Sequence, residues 1–162
     1  MVEIKKINAL KMNFSIRVYG LYVNQNNEIL LSHEQYKGKP LSKFVGGGLE
    51  FGESTIECLG REWQEELDTK IEVLKHIYTT DFAQMSSFEP HTQVMPVYYL
   101  VCPVGNFDLE QINAKIAQNK PENGVLNLFF KAIDTLNPDK DLTFETDQQA
   151  FEHLIRQTTI HH

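Results

Sequence analysis

The chain has 162 residues, 41% hydrophobic and 23% charged, with a formal net charge of −7 at pH 7. That length is enough for one domain with its own core, and the composition excludes disordered, fibrous and low-complexity classes. The acidic balance excludes a broad basic footprint for a nucleic-acid polymer, and no apolar run approaches membrane-spanning length.

The start, "MVEIKKINALKM", holds no apolar signal core, and the two cysteines, Cys58 and Cys102, lie far apart. Together these predict a reducing, cytoplasmic setting in which both thiols serve packing. "SIRVYGLYV" and "EILLSHEQY" are β-rich runs around the turn-forming "NQNN", so residues 15 to 34 are expected to form a hairpin. "KGKPLSKFV" leads through turn residues into a short strand ending at Val45, and the glycines of "GGGLEFGES" follow as a loop. Residues 54 to 67 carry Ile56, Leu59, Trp63 and Leu67 at helical spacing, which predicts a helix with one packed face. "KIEVLKHIYTT" and "TQVMPVYYLVCPV" are two more strands, the second apolar enough to be central. "DLEQINAKIAQN" is a helix opened by Asp108, "GVLNLFFKAI" a strand, and "TDQQAFEHLIRQ" a final amphipathic helix with Thr146 as N-cap. With no repeat and no linker, residues 1–162 form a single α/β domain, a mixed sheet covered by helices on both sides.

The acidity is concentrated. Within residues 46 to 67, Glu50, Glu53, Glu57, Glu62, Glu65 and Glu66 stand against Arg61 alone. On a helical wheel Glu65 and Glu66 fall about 60° and about 40° to either side of Glu62, so three carboxylates share one face beside the apolar stripe. Arg61, Glu57, Gln64 and Asp68 occupy the outward arc, with Glu57 and Arg61 in a favourable i to i+4 order. A solvated acidic face is the plain reading, since like charges at this spacing cost only about 0.2 to 0.5 kcal/mol. It leaves the glycine run unexplained, and Gly60 too, which costs about 1 kcal/mol against Ala inside a helix. Three oxygen ligands on one face suit Mg²⁺ or Mn²⁺, which take carboxylates together with substrate phosphate oxygens. Such an ion supports metal-assisted hydrolysis of a phosphoanhydride.

These residues resemble the signature of the Nudix hydrolases. Gly47 is followed after five residues by Glu53, and after seven more by Arg61, Glu62, Trp63, Gln64, Glu65 and Glu66. Asp68 and Thr69 depart from the family's Gly-apolar ending, and Val45 stands where a Pro is common. The Asp68 change concerns how the helix ends, because Asp visits the left-handed region less easily than Gly but does reach it.

The resemblance implies an α/β/α sandwich and an Mg²⁺-dependent pyrophosphohydrolase, with Mn²⁺ as the other metal. Its substrate would be a nucleoside diphosphate linked to a further group. Glu62, Glu65 and Glu66 become metal ligands, and Arg61 orients them unless it is only a surface partner of Glu57. Glu53 and Glu65 are catalytic candidates, with Glu53 as a base or a ligand through water. Glu122, in the loop before "GVLNLFF", is a second candidate base, and Glu50 a weaker one. The backbone of Gly46, Gly47 and Gly48 would approach the ligand beside a helix N-terminus. Arg17 and Lys43, with Lys37 and Lys39, are candidates to bind phosphates, against the plain reading of solvated strand-edge charges.

Phe82, Phe88, Tyr98 and Tyr99 are candidates for stacking surface, against the plain reading that aromatic residues on strands are core. Cys58 is packing, and His33, His76, His91 and His153 have no metal-ligand spacing. His161 and His162 are native or the remains of a purification tag. The partner is a small nucleotide-type molecule, with no membrane and no nucleic-acid polymer; a homodimer is compatible with the sequence. A non-catalytic nucleotide-sensing or protein-binding module is the alternative, and a calcium sensor is excluded because no D-x-[DN]-x-[DN]-G loop exists.

Overall fold

The computed structural model describes residues 11–120 and 122–159; the first ten residues, His161 and His162 lie outside them. In chain order the elements are β1 (Asn13–Leu21), β2 (Glu28–Tyr36), β3 (Lys39–Lys43), β4 (Val45–Gly48), α1 (Thr55–Leu67) and β5 (Ile71–Thr79). There follow β6 (Gln84–Met85), β7 (Thr92–Pro103), α2 (Leu109–Asn119), β8 (Gly124–Ala132), α3 (Pro138–Asp141) and α4 (Glu145–Thr159). Strands run β4-β1-β7-β5 in one sheet, with β6 on β7, and β3-β2-β8 in a second. The β1–β7 pair is parallel and the others are antiparallel, so the mixed sheet is present and β7 is central within it.

Alternation along the strands builds the layers. Val18, Leu30, Val45 and Val101 face a core shared with Leu59 and Trp63 of α1 and Ile112 and Ile116 of α2. Their sequence neighbours Tyr19, Leu31 and Phe44, with Tyr98, face a second core shared with Phe151 and Leu154 of α4. Because strand side chains alternate with a period of two, strands buried on both faces need helices on both faces. The α/β class and the helix–sheet–helix layering expected from the sequence are therefore present. Each fully buried Leu, such as Leu31 or Leu59, contributes about 1.5–3 kcal/mol.

Four local expectations are corrected. Residues 15 to 34 do not form a hairpin: both edges of β1 are taken by β4 and β7, and β2 pairs instead with β3 and β8. Only a single bridge, Val23 to Ile29, survives beyond the Asn24–Asn27 turn, where Asn27 takes φ 59°. The glycines are strand, not loop: Gly46, Gly47 and Gly48 pair with Tyr19, Val18 and Arg17. Thr146 lies inside α4, which begins at Glu145 with Phe144 O accepting from Asp147 N and Gln148 N. Ile56 is 53% exposed and Cys58 is buried instead, because a wheel treats all turns alike while burial depends on what lies beneath each. Asp108 does cap α2, its side chain accepting from Gln111 N at 2.9 Å.

Candidate active site

The strand order brings β4 beneath α1. A Cβ on Gly46 would run into the Val18 carbonyl and Tyr19, and one on Gly47 into the Glu62 carboxylate. The glycines thus let the sheet backbone and the acidic helix face touch, which is their packing reason. Gly60 has open space at the same test, so close approach does not explain it. Ser54 caps α1 in a reciprocal box: Ser54 N donates to Glu57 Oε2 at 2.8 Å and Glu57 N to Ser54 Oγ at 3.2 Å. At the other end Asp68 adopts φ 49°, the left-handed conformation usually given to Gly, and its N–H reaches Gln64 O.

Arg61 is the hub of the acidic face. Its guanidinium grips Glu53 with two bonds, Nη2 to Oε1 at 2.7 Å and Nε to Oε2 at 3.0 Å. It also donates to Glu62 Oε1 at 3.0 Å, Glu65 Oε2 at 3.2 Å and the Gly48 carbonyl at 3.1 Å. The expected Glu57–Arg61 pair does not form, because Glu57 is committed to the cap. Hydrogen bonds from Arg61 and from the Glu50 N–H hold the Glu53 carboxyl down to about 2. The fork geometry of Arg matches a carboxylate bidentately, so this grip is also directional. Cys58, buried beside it with Sγ 3.5 Å from the Gly48 carbonyl, has its thiol pushed up to about 12 by burial and the Glu53 charge, as an inert packing residue should.

Glu66 lies deeper. Burial, together with the charges of Glu34 and Glu62, pushes its carboxyl up to about 8, against the pull of Lys43 and Arg17. Its Oε2 is buried with no hydrogen-bond partner among the described residues. Carboxylates crowded without a neutralising cation behave this way. Among the described residues no three His, Cys, Asp or Glu side chains stand ready-made as a metal site. The donor chemistry nonetheless fits a hard divalent cation: orphaned and crowded carboxylate oxygens over a glycine cradle.

Beside this face opens a cavity of about 160 Å³. Its floor carries a buried ion pair, Lys43 Nζ to Glu34 Oε2 at 3.2 Å, with Ser32 Oγ donating to Glu34 Oε1 at 2.9 Å. Lys43 Nζ also sits 4.8 Å from the Tyr19 ring centroid, and Arg17 Nε donates to Tyr19 Oη at 2.7 Å. Asp147, from the first turn of α4, completes the floor and accepts from Tyr98 Oη at 2.6 Å. At the mouth Phe88 meets Tyr36 edge-to-face at 4.8 Å, and Lys37 Nζ donates to the Phe88 carbonyl at 3.2 Å.

A family model, the NUDIX domain, matches residues 14–139. The chain belongs to the NUDIX family. The pyrophosphohydrolase assignment implied by the signature stands with that membership. Solved structures with the same fold include a NUDIX hydrolase from Nitrosomonas europaea, 18% identical over 91% of this chain and 90% of that one, TM-score 0.67. A MutT NUDIX hydrolase from Burkholderia pseudomallei is 17% identical over 88% and 98%, TM-score 0.63. An ADP-ribose pyrophosphatase from Streptococcus suis is 15% identical over 88% and 92%, TM-score 0.54. At these identities the likeness is one of fold. No curated protein matches the chain.

Within the Nudix domain, the structure gathers Gly47, Gly48, Glu53, Arg61, Glu62 and Glu65 into one contact network. Arg17 and Lys43 border both it and the cavity, whereas Gly46 serves the β1 contact. Glu50 reaches Arg61 at 3.7 Å. Glu122 is exposed in the loop before β8, and no ion pair or hydrogen bond joins it to the acidic face among the described residues. Of the aromatic candidates, Phe88 lines the cavity, while Tyr98 is core and Tyr99 Oη bonds Thr55 Oγ1 at 2.7 Å. Lys39 sits 5.8 Å from the Phe88 ring centroid.

Glu34 and Asp147 were not anticipated. Both left a signal: Glu34 follows Leu30 and Ser32 at strand parity, and Asp147 precedes Ala150, Phe151 and Leu154 on a buried helical stripe. A charge at a position whose spacing demands burial is the flag to look for.

Proposed function

We propose that this Nudix domain is an Mg²⁺-dependent hydrolase of a phosphoanhydride in a nucleoside diphosphate linked to a further group, with a nucleoside triphosphate as the simplest case. The observation that carries the reading is the acidic face: carboxylates crowded over Gly47, one of them with an orphaned buried oxygen. Glu62, Glu65 and Glu66 would hold the metal, which when bound supplies charge neutralisation on the diphosphate and an acidified water. Arg61 sets the directions of Glu62 and Glu65. Glu53 holds Arg61 in turn, and that two-bond grip supports a positioning role for it, with the proton left to another carboxylate of the face. Arg17, at the border of face and cavity, binds phosphate oxygens by charge, and Lys43, paired with Glu34 beneath it, adds its positive field. Glu122 has no part in this arrangement. The mixed relatives named above, a MutT hydrolase and an ADP-ribose pyrophosphatase, agree with a nucleotide substrate and leave the attached group open.

The test is a panel of nucleotides and nucleotide sugars incubated with Mg²⁺, with phosphate, pyrophosphate and nucleoside monophosphate separated by chromatography. Glu65→Gln and Glu66→Gln should each lower turnover by at least about 10²-fold. Full activity in either variant would sink the reading, and tight nucleotide binding without product over hours would favour the non-catalytic alternative.

A further inference from the structure

Two arginines meet at Gly48, and they are served very differently. Arg61 donates to the Gly48 carbonyl and has the carboxylates of Glu50, Glu53, Glu62 and Glu65 within 4 Å. Arg17 pairs with Gly48 in the β1–β4 register, and its Nη1 lies 3.5 Å from where a Gly48 Cβ would stand. Among the described residues no carboxylate comes within 4 Å of Arg17, and its one side-chain hydrogen bond runs from Nε to Tyr19 Oη at 2.7 Å. Glu62 and Glu34 act on it from beyond contact distance. In a chain of net charge −7, a half-buried guanidinium without a contacting counter-ion is a place for an anion.

Resting on the nucleotide reading above, we propose that Tyr19 binds the substrate together with Arg17, its hydroxyl fixing the guanidinium through Nε and donating its own proton to the same phosphate group. Both side chains line the cavity where it borders the acidic face. The Tyr19 oxygen accepts from Arg17, so its proton is left to give, and among the described residues no acceptor takes it. With Nε committed, the edge formed by Nη1 and Nη2 is the free one, and that fork matches two oxygens of one phosphate. The Tyr19 ring is itself held from three sides. It stacks on Tyr98 with centroids 5.4 Å apart and lies 4.8 Å from Lys43 Nζ. It also packs against Gly46, where a Cβ would come within 2.8 Å of Tyr19 Cα and Cδ1. The hydroxyl is therefore aimed by packing, and it aims Arg17 in turn.

Two measurements on the full chain test the proposal. The first is calorimetric binding of inorganic pyrophosphate with Mg²⁺, which needs no turnover. The second is KM and kcat for whichever of ATP, GTP, CTP and UTP is hydrolysed fastest. Tyr19→Phe removes only the hydroxyl and keeps the ring on Tyr98 and Lys43; Arg17→Lys keeps the charge but has neither Nε nor the two-nitrogen edge. Each should weaken pyrophosphate binding by about tenfold or more and raise KM in proportion. In Tyr19→Phe kcat should stay within about twofold, because a phosphate oxygen carries its charge before the reaction as well as during it. The double variant should lose about as much as the worse single variant, since the two side chains act as one. A Tyr19 that only packs would lower the melting temperature and leave both constants alone. Unchanged pyrophosphate binding and KM in Tyr19→Phe, or losses that multiply in the double variant, overturn the inference and leave the hydrolase reading in place. Pyrophosphate binding that depends on the pair, without hydrolysis of any nucleotide, sinks the hydrolase reading and spares this one. Neither binding nor turnover sinks both.

Discussion

The acidic face and the cavity floor are each organised by one cation, and they use it differently. Arg61 has four carboxylates within 4 Å, those of Glu50, Glu53, Glu62 and Glu65, and its side chain is 23% exposed. Lys43 has one, Glu34, and both partners are under one-tenth exposed. The first cluster carries excess negative charge beside water, so its members can exchange partners cheaply. The second is closed and close to balance, so the loss of any member leaves a charge with nowhere to go.

That contrast breaks if the two cations prove equivalent. Lys43→Met should cost about 3–5 kcal/mol, because Glu34 loses its cationic partner in the interior. Arg61→Met should cost clearly less in stability, since Glu50 and Glu65 are more than half exposed and water replaces the lost partner. Urea unfolding of both variants measures the difference, and equal losses would mean that burial is not what separates the clusters.

A second way to sharpen it uses pH. Asp147 has its carboxyl raised to about 7 in the fold, against an unfolded value near 3.9. The folded chain therefore binds the Asp147 proton more tightly than the unfolded chain does. As pH rises from about 4 the unfolded state ionises first, stability falls, and the penalty levels off above about 7, at no more than about 4 kcal/mol. Asp147→Asn removes this slope, so the variant should gain on the wild type between pH 4 and 7 and stay ahead at pH 8. Parallel melting temperatures for the two proteins across that range would show that the buried carboxyl carries no such penalty.

Much of the acidic face was legible because it is local. Spacing alone put Glu62, Glu65 and Glu66 on one helix side, and Asp68, at the family's Gly position, does end the helix in the left-handed conformation. Arg61 was misplaced on the outward arc because a wheel shows where a side chain starts and not where a long one reaches, here to Glu53 in the preceding loop. The hairpin failed for a related reason: a turn signal reports that the chain reverses, not which sheet each arm joins. The cavity floor was less legible, since β2, β3 and α4 contribute Glu34, Lys43 and Asp147 from positions far apart in the chain. Lys43 stood out as a charge near the glycines, while Glu34 and Asp147 were marked only by the mismatch of charge and burial parity.

The glycines offer the finest division between the two kinds of position. At Gly47 a methyl group would fall on the Glu62 carboxylate, so Gly47→Ala must displace either that side chain or the strand beneath it. The carboxylate is the far end of a flexible side chain and can swing aside, so the stability cost sits at the low end of the about 1–3 kcal/mol of overpacking. Here it also moves a carboxylate of the acidic face, so activity should fall by more than stability alone explains. Gly60 sits in the middle of the same helix with nothing near its missing Cβ. Gly60→Ala should therefore stabilise the chain by up to about 1 kcal/mol through helix propensity, with turnover unchanged. Denaturation midpoints and kcat for the two variants decide the matter. If Gly47→Ala keeps full activity, contact between β4 and Glu62 is not what orders the acidic face, and the glycine run serves the β1 contact at Gly46 alone.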